Sequence, residues 1–215
     1  MLRVLTVFLL ALTKPVAACQ LALVLAIDVS SSIDSGEYRF QVDGLAEALL
    51  SQEIMDVLMR DQVALSVVQW SGRNEQEMSI PWRRMLTMGE ITNFAARVQL
   101  MPRNWSHGKT AVGDAIAFSV NQFSAVSDCG RRVIDVSGDG NSNSGTDTGN
   151  ARRLAERAGI EINGLAIDRM GVSITEYFRR FVVTSQGFVL TSQGYSDYPR
   201  TIRAKLLREL VKPSS

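Results

Sequence analysis

Histidine and cysteine are nearly absent: the 215 residues hold one of the first and two of the second. Nucleophilic catalysis needs a base within reach of the nucleophile, and with His107 the single histidine the sequence offers no candidate base for one. The Gly-x-Ser-x-Gly signature of serine hydrolases is missing. So is a Gly-x-Gly-x-x-Gly after the first strand, which argues against a Rossmann-type nucleotide binder. Charge of one sign is not in excess either: 23 basic residues face 22 acidic ones. That balance argues against a bulk electrostatic partner such as nucleic acid. There is no internal repeat, no low-complexity segment, and no terminal apolar run long enough to span a bilayer.

What remains is an ordinary globular composition, 46% hydrophobic and 21% charged, with length for one sizeable core. The one compositional shift is at the start. Arg3, the apolar stretch Val4 to Leu12, and the small residues Val16, Ala17 and Ala18 read as a secretory signal, residues 1–18. A mature chain of residues 19–215 would then leave the cytoplasm, to be periplasmic or secreted. The cysteines admit three readings, the plainest being two unpaired buried thiols. Val16-Ala17-Ala18-Cys19 resembles a lipobox, which would make Cys19 a lipid anchor. Alternatively Cys19 pairs with Cys129, which an oxidising compartment permits. Cys19 lies nine positions before Asp28 and Cys129 ten before Asp139. In neighbouring parallel strands both cysteines would fall together at the end away from the aspartates.

Hydrophobic patterning predicts alternating strands and helices. Strands are expected from Leu21 to Ile27, Val63 to Trp70, Met78 to Trp82 (an edge, since it contains Pro81), Val133 to Ser137, Ile160 to Ile167 and Phe188 to Thr191. Helices are expected at Ser35 to Met59, Ile91 to Met101, Thr110 to Phe123, Asn150 to Ala158, Ile174 to Val183 and Tyr198 to Val211. The order predicts an α/β fold with a doubly wound, mostly parallel sheet and helices on both faces.

The first strand runs into Asp28-Val29-Ser30-Ser31-Ser32. Ligands of open α/β sheets bind at the carboxyl ends of strands. A carboxylate and two hydroxyls at alternate positions form an all-oxygen half-site, suited to Mg²⁺, Mn²⁺ or Ca²⁺. Two further segments converge on that end: the Gly108-Lys109-Thr110 loop and Gly138-Asp139-Gly140. Together they resemble the metal-ion-dependent adhesion site of the von Willebrand factor A fold, and the resemblance covers nearly all of residues 19–215. It implies that Ser30, Ser32 and Thr110 place hydroxyls on the metal. Asp28 and Asp139 act largely through bound water and hold those hydroxyls in place. A partner's Asp or Glu completes the metal's shell. Longer phrases, among them Arg131 to Gly140 and Ile202 to Leu210, look like an uncharacterised, exported proteobacterial branch of this fold.

The sequence departs from the family's pattern twice. Gly138 stands where the family commonly has Thr, and Asp135 sits inside a strand where an apolar residue is usual. A buried carboxylate needs partners, and Arg131, Arg132 or a side chain of a neighbouring strand is the expected one. His107 reads as a solvated loop residue three positions before Thr110, Asp168 ends a strand at the same sheet edge, and Asn104-Trp105-Ser106 matches a glycosylation sequon. The leading functional expectation is a non-enzymatic module that uses a divalent cation to grip an acidic residue of a protein partner. The alternatives are a metal-dependent hydrolase or phosphoryl-transfer enzyme, and a metal-occupied scaffold. Ser30 occupies the position where aspartate-nucleophile phosphatases want a second acid.

Overall fold

The computed structural model describes residues 19–168 and 174–211; the expected signal, residues 1–18, lies outside them. Six strands form one sheet: β1 (Cys19–Asp28), β2 (Ala64–Trp70), β3 (Gln76–Arg84), β4 (Cys129–Gly138), β5 (Glu161–Asp168) and β6 (Val189–Gln193). Their spatial order is β3-β2-β1-β4-β5-β6, with β3 antiparallel to β2 and every other pair parallel. The expected doubly wound sheet is therefore present, and its centre is the β1–β4 pair.

β1 shows why the sheet needs cover on both sides. Leu21, Leu23, Leu25 and Ile27 pack into one core, while Ala22, Val24 and Ala26 pack into the other. Side chains alternate across a strand, so one face carries large residues and the other small ones. The large face is covered by α1 (Ser35–Leu49), α2 (Gln52–Arg60), α3 (Met88–Gln99) and α7 (Tyr198–Leu210). The small face lies under α4 (Val112–Gln122), α5 (Thr148–Arg157) and the α6 segment (Ile174–Tyr177), which widens into a π turn over Phe178–Val182. Each fully buried Leu or Ile is worth about 1.5–3 kcal/mol, so the double-sided burial of β1 makes it the natural spine.

Several boundaries differ from the sequence expectation. The helix expected over Ser35 to Met59 is two helices, because Ser51 turns to an extended conformation (φ −69°, ψ 137°). The apolar rhythm explains the break: Leu45 and Leu49 are followed by Ile54 and Leu58, a five-residue step where a continuous helix needs three or four. Turning the chain keeps all four residues in the core. β3 is longer than expected but is the predicted edge, and its register slips opposite Leu65 to Val68, beside Pro81. α4 starts at Val112, with Ala111 at the capping position, so Thr110 is left outside the helix.

Cys19 and Cys129 are direct partners in the β1–β4 register and are joined by a disulfide, with Cα atoms 4.5 Å apart. The expected pairing at the end of the sheet away from Asp28 and Asp139 is thus observed.

Candidate functional site

Asp28 is the last residue of β1, and its carboxylate folds back so that Oδ1 accepts the Ser30 amide at 2.8 Å. This turn points the chain across the sheet edge before Asp34 caps α1, accepting the Glu37 amide at 2.8 Å. Three groups fix the turn from outside. Gln41 of α1 donates Nε2 to the Asp28 carbonyl at 3.1 Å. The Arg103 guanidinium donates to the carbonyls of Val29 (3.0 Å) and Ser30 (2.8 Å). The Ser31 amide donates to the Gly108 carbonyl at 3.0 Å.

The segment carrying Thr110 is seated between β2 and the loop after β4. Ser71, just past β2, donates Oγ to the Lys109 carbonyl and accepts the Ala111 amide on its own carbonyl at 2.8 Å. Gly108 presses against this post, and a Cβ there would lie 2.0 Å from Ser71 Oγ, so only glycine fits. On the other side Asn143 holds Thr110 twice: its Oδ1 accepts the Thr110 amide, and its own amide donates to the Thr110 carbonyl, each at 2.9 Å. With its backbone fixed in this way, the Thr110 hydroxyl faces Ser30.

Four of the five expected residues form a chain of oxygens, and Asp28 joins it through the Ser30 amide. Thr110 Oγ1 lies 3.5 Å from Ser30 Oγ, Ser30 Oγ lies 3.2 Å from Ser32 Oγ, and Ser32 Oγ donates to Asp139 Oδ1 at 2.7 Å. Asp28, Ser30, Thr110 and Asp139 are buried, while Ser32 is exposed and forms the open side. Burial, and next the negative charge of Asp139, push the Asp28 carboxyl up to about 7. Asp28 Oδ2 is buried with no hydrogen-bond partner among the described residues. A buried carboxylate oxygen without a donor is costly. Hydroxyl and carboxylate oxygens are the donor set of hard divalent cations, so these residues fit such an ion.

The departure at Gly138 has a local cause. A Cβ there would sit 3.0 Å from Asp28 Oδ2 and 3.3 Å from the ring of Trp70. Trp70 fills the space that a larger residue at this position would need, and glycine keeps the two carboxylates close. Asp135 is buried, but its partner comes from neither Arg131, Arg132 nor a neighbouring strand: Lys205 of α7 places Nζ 2.6 Å from Oδ1. Arg131 and Arg132 turn instead to the carbonyls of Glu209 and Ala158. His107 is exposed, as expected of a loop residue. Asp168 is engaged in starting α6, accepting the amides of Ile174 (2.8 Å) and Thr175 (3.1 Å).

Sequence reasoning missed Arg103, Gln41 and Asn143, whose work is on backbone carbonyls and amides. Arg103 and Asn143 lie between the expected strands and helices, where the periodicity that marks those elements carries no information about backbone partners.

Comparison with known proteins agrees with the fold. The chain is 29% identical over 170 residues to the collagen alpha-1(VI) chain of Gallus gallus, a match spanning 76% of this chain and 15% of that one. Among solved structures it resembles proximal thread matrix protein 1 from the mussel byssus with a zinc-occupied MIDAS motif (TM-score 0.69, 22% identity, 89% of this chain and 48% of that one). It also resembles a von Willebrand factor type A protein from Catenulispora acidiphila (TM-score 0.68, 16% identity, 91% and 44%). The chain thus spans under half the length of these relatives. The fold is that of the von Willebrand factor A domain, and with residues 18–214 matched, the chain belongs to the family described as protein of unknown function DUF1194.

Proposed function

We propose that the chain is an exported, non-enzymatic protein-binding module. Its site holds Mg²⁺, or Mn²⁺ or Ca²⁺, and presents it to an acidic side chain of a partner. Ser30, Ser32 and Thr110 would carry the ion, with Asp28 and Asp139 behind them. The observation that carries this reading is the convergence of three hydroxyls on two carboxylates, one of which keeps a buried oxygen without a donor. A divalent cation supplies the missing positive charge. Because most of its protein ligands would be neutral, the cation keeps affinity for an incoming carboxylate.

Export is supported by the Cys19–Cys129 disulfide, which belongs to an oxidising compartment, and by the signal-like pattern from Arg3 to Ala18. No helix among the described residues is long and apolar enough to cross a membrane.

Thermal unfolding of residues 19–215 in chelator and in millimolar Mg²⁺, Mn²⁺ and Ca²⁺ tests the site. A cation that binds the folded state must raise the midpoint with concentration. The rise should vanish in Asp28→Ala and shrink in Thr110→Ala. A flat response in folded protein would remove the metal from the reading. Capture of a partner from a periplasmic extract should be lost in chelator. Metal-dependent turnover of a phosphate ester that disappears in Asp28→Ala would replace the binding reading with an enzymatic one.

A further inference from the structure

Asp135, Lys205 and Glu209 form a second cluster of ionisable groups, on the large face of the sheet. Leu25, Asp135 and Asn163 are register neighbours across β1, β4 and β5, so Asp135 stands in the middle of the sheet. Lys205 and Glu209 lie one turn apart on α7 above it. Relative exposure is 2% for Asp135 and 0% for both Lys205 and Glu209, so bulk solvent does not reach these side chains. Lys205 Nζ is 2.6 Å from Asp135 Oδ1 and 2.6 Å from Glu209 Oε1. The Phe188 ring lies 5.5 Å from Nζ. Asn163 donates Nδ2 to Glu209 Oε1 at 3.0 Å and accepts the Phe188 amide on Oδ1, which fixes the orientation of Glu209.

Two features set this cluster apart from a simple ion pair. Despite the 2.6 Å approach of Nζ, neither Asp135 oxygen is in hydrogen-bond geometry with any donor among the described residues. The amine is therefore close to the carboxyl group without being docked on it as a hydrogen-bond donor. Second, two carboxyls share one amine, so in a dry pocket one proton more is needed for neutrality. Burial, then the charge of Asp135, hold the Glu209 carboxyl above its usual range, which makes it the group that keeps that proton.

We infer that Lys205 and Asp135 condense into an intramolecular amide, with Glu209 transferring the protons. The step begins with proton transfer from the ammonium to the Asp135 carboxylate, which frees the Nζ lone pair. The Nζ lone pair attacks Asp135 Cγ and the N–C bond forms. Glu209 accepts a proton from Nζ and delivers one to the departing hydroxyl. The Cγ–O bond breaks, one water leaves, and Glu209 ends as it began. No oxidant or other reactant is consumed. Fixing amine and acid in contact supplies the high effective concentration that the reaction lacks in bulk water. The product ties the last described helix to the centre of the sheet and removes two buried charges at once.

Intact mass of the full chain, purified folded and then reduced and denatured, tests this directly. The expected mass is one water, about 18 Da, below that of the reduced chain. A tryptic digest should contain a branched species joining the peptide of Asp135 to an uncleaved Lys205. Glu209→Ala should show the full mass, with folding checked by circular dichroism. Asp135→Asn should still condense but release ammonia, so the loss becomes about 17 Da. Wild-type protein that is folded and carries the full mass overturns the proposal and leaves a buried ion cluster.

Discussion

Strand β4 and the residue just after it supply two buried aspartates that the molecule treats in opposite ways. Asp135, in mid-strand, meets a lysine supplied by the chain itself, fully buried in the same pocket. Asp139, just beyond the strand's carboxyl end, stands with Asp28, on which no basic side chain bears among the described residues. A built-in amine, close enough to condense with its carboxyl, makes a closed structural unit. No such amine bears on Asp28 among the described residues, and in the proposed reading an ion from solution takes that place. The contrast separates a cluster that holds the fold from one that the proposed reading keeps for an ion, although each has an aspartate on β4 or just past its end.

The sharpest way to break the contrast is to take the amine from the closed cluster. Lys205→Met removes the link to Asp135, leaves two carboxyls together with no basic partner, and should cost at least about 3–5 kcal/mol, read from urea unfolding. A loss under about 1 kcal/mol would show that the cluster carries little of the stability.

Neutralising the open site should act in the other direction. In chelator, the folded state holds the Asp28 proton up to about 7, whereas the unfolded chain releases it near 3.8. The stabilising contribution of that proton is therefore present below 3.8 and is lost as pH rises through 7. Asp28→Asn, which needs no proton, should gain on wild type over this window by a few kcal/mol, on the order of 4 for the full shift. Parallel stability curves for the two proteins between pH 4 and 8 would contradict it.

Smaller effects sharpen the picture further. Arg103→Met removes the guanidinium bonds to Val29 and Ser30. It should cost about 1–3 kcal/mol and weaken the midpoint rise with Mg²⁺, because Ser30 is no longer held. Asp197 pairs with Arg200 at the start of α7 and has its carboxyl lowered to about 2, first by that hydrogen bond. Asp197→Asn should cost under about 1 kcal/mol. This contribution is present above pH 3.8 and is lost as pH falls through about 2. The variant should leave the metal response unchanged, and a changed response would mean that the two regions are coupled.

The fold was legible because β1 is apolar on both faces and because strands and helices alternate in clear periods. The open site was legible because its residues cluster in short motifs at predicted strand ends. The closed cluster was not, since its members lie on β4 and α7, far apart in the chain. One signal existed. Lys205 and Glu209 fall on the same helical stripe as Tyr198, Ile202 and Leu206, all of them buried, and charges on an apolar stripe demand a buried partner. Reading Asp135 against its own strand pointed to the adjacent arginines, whereas the sheet turns its side chain towards α7. The break between α1 and α2 was likewise written in a five-residue apolar step, which a search for continuous helix passes over.

The disulfide has a mechanical consequence. Cys19 and Cys129 stand side by side where β1 and β4 begin, and Asp28 and Asp139 stand where they finish. A tug on the loop beyond Asp28 runs down β1 and reaches β4 through a covalent rung as well as through the hydrogen-bonded ladder. The two strands are loaded together as a pair anchored at the base. Tension applied at the site therefore cannot peel β1 away from the bottom of the sheet, and an adhesive bond made there would give way before its mounting does.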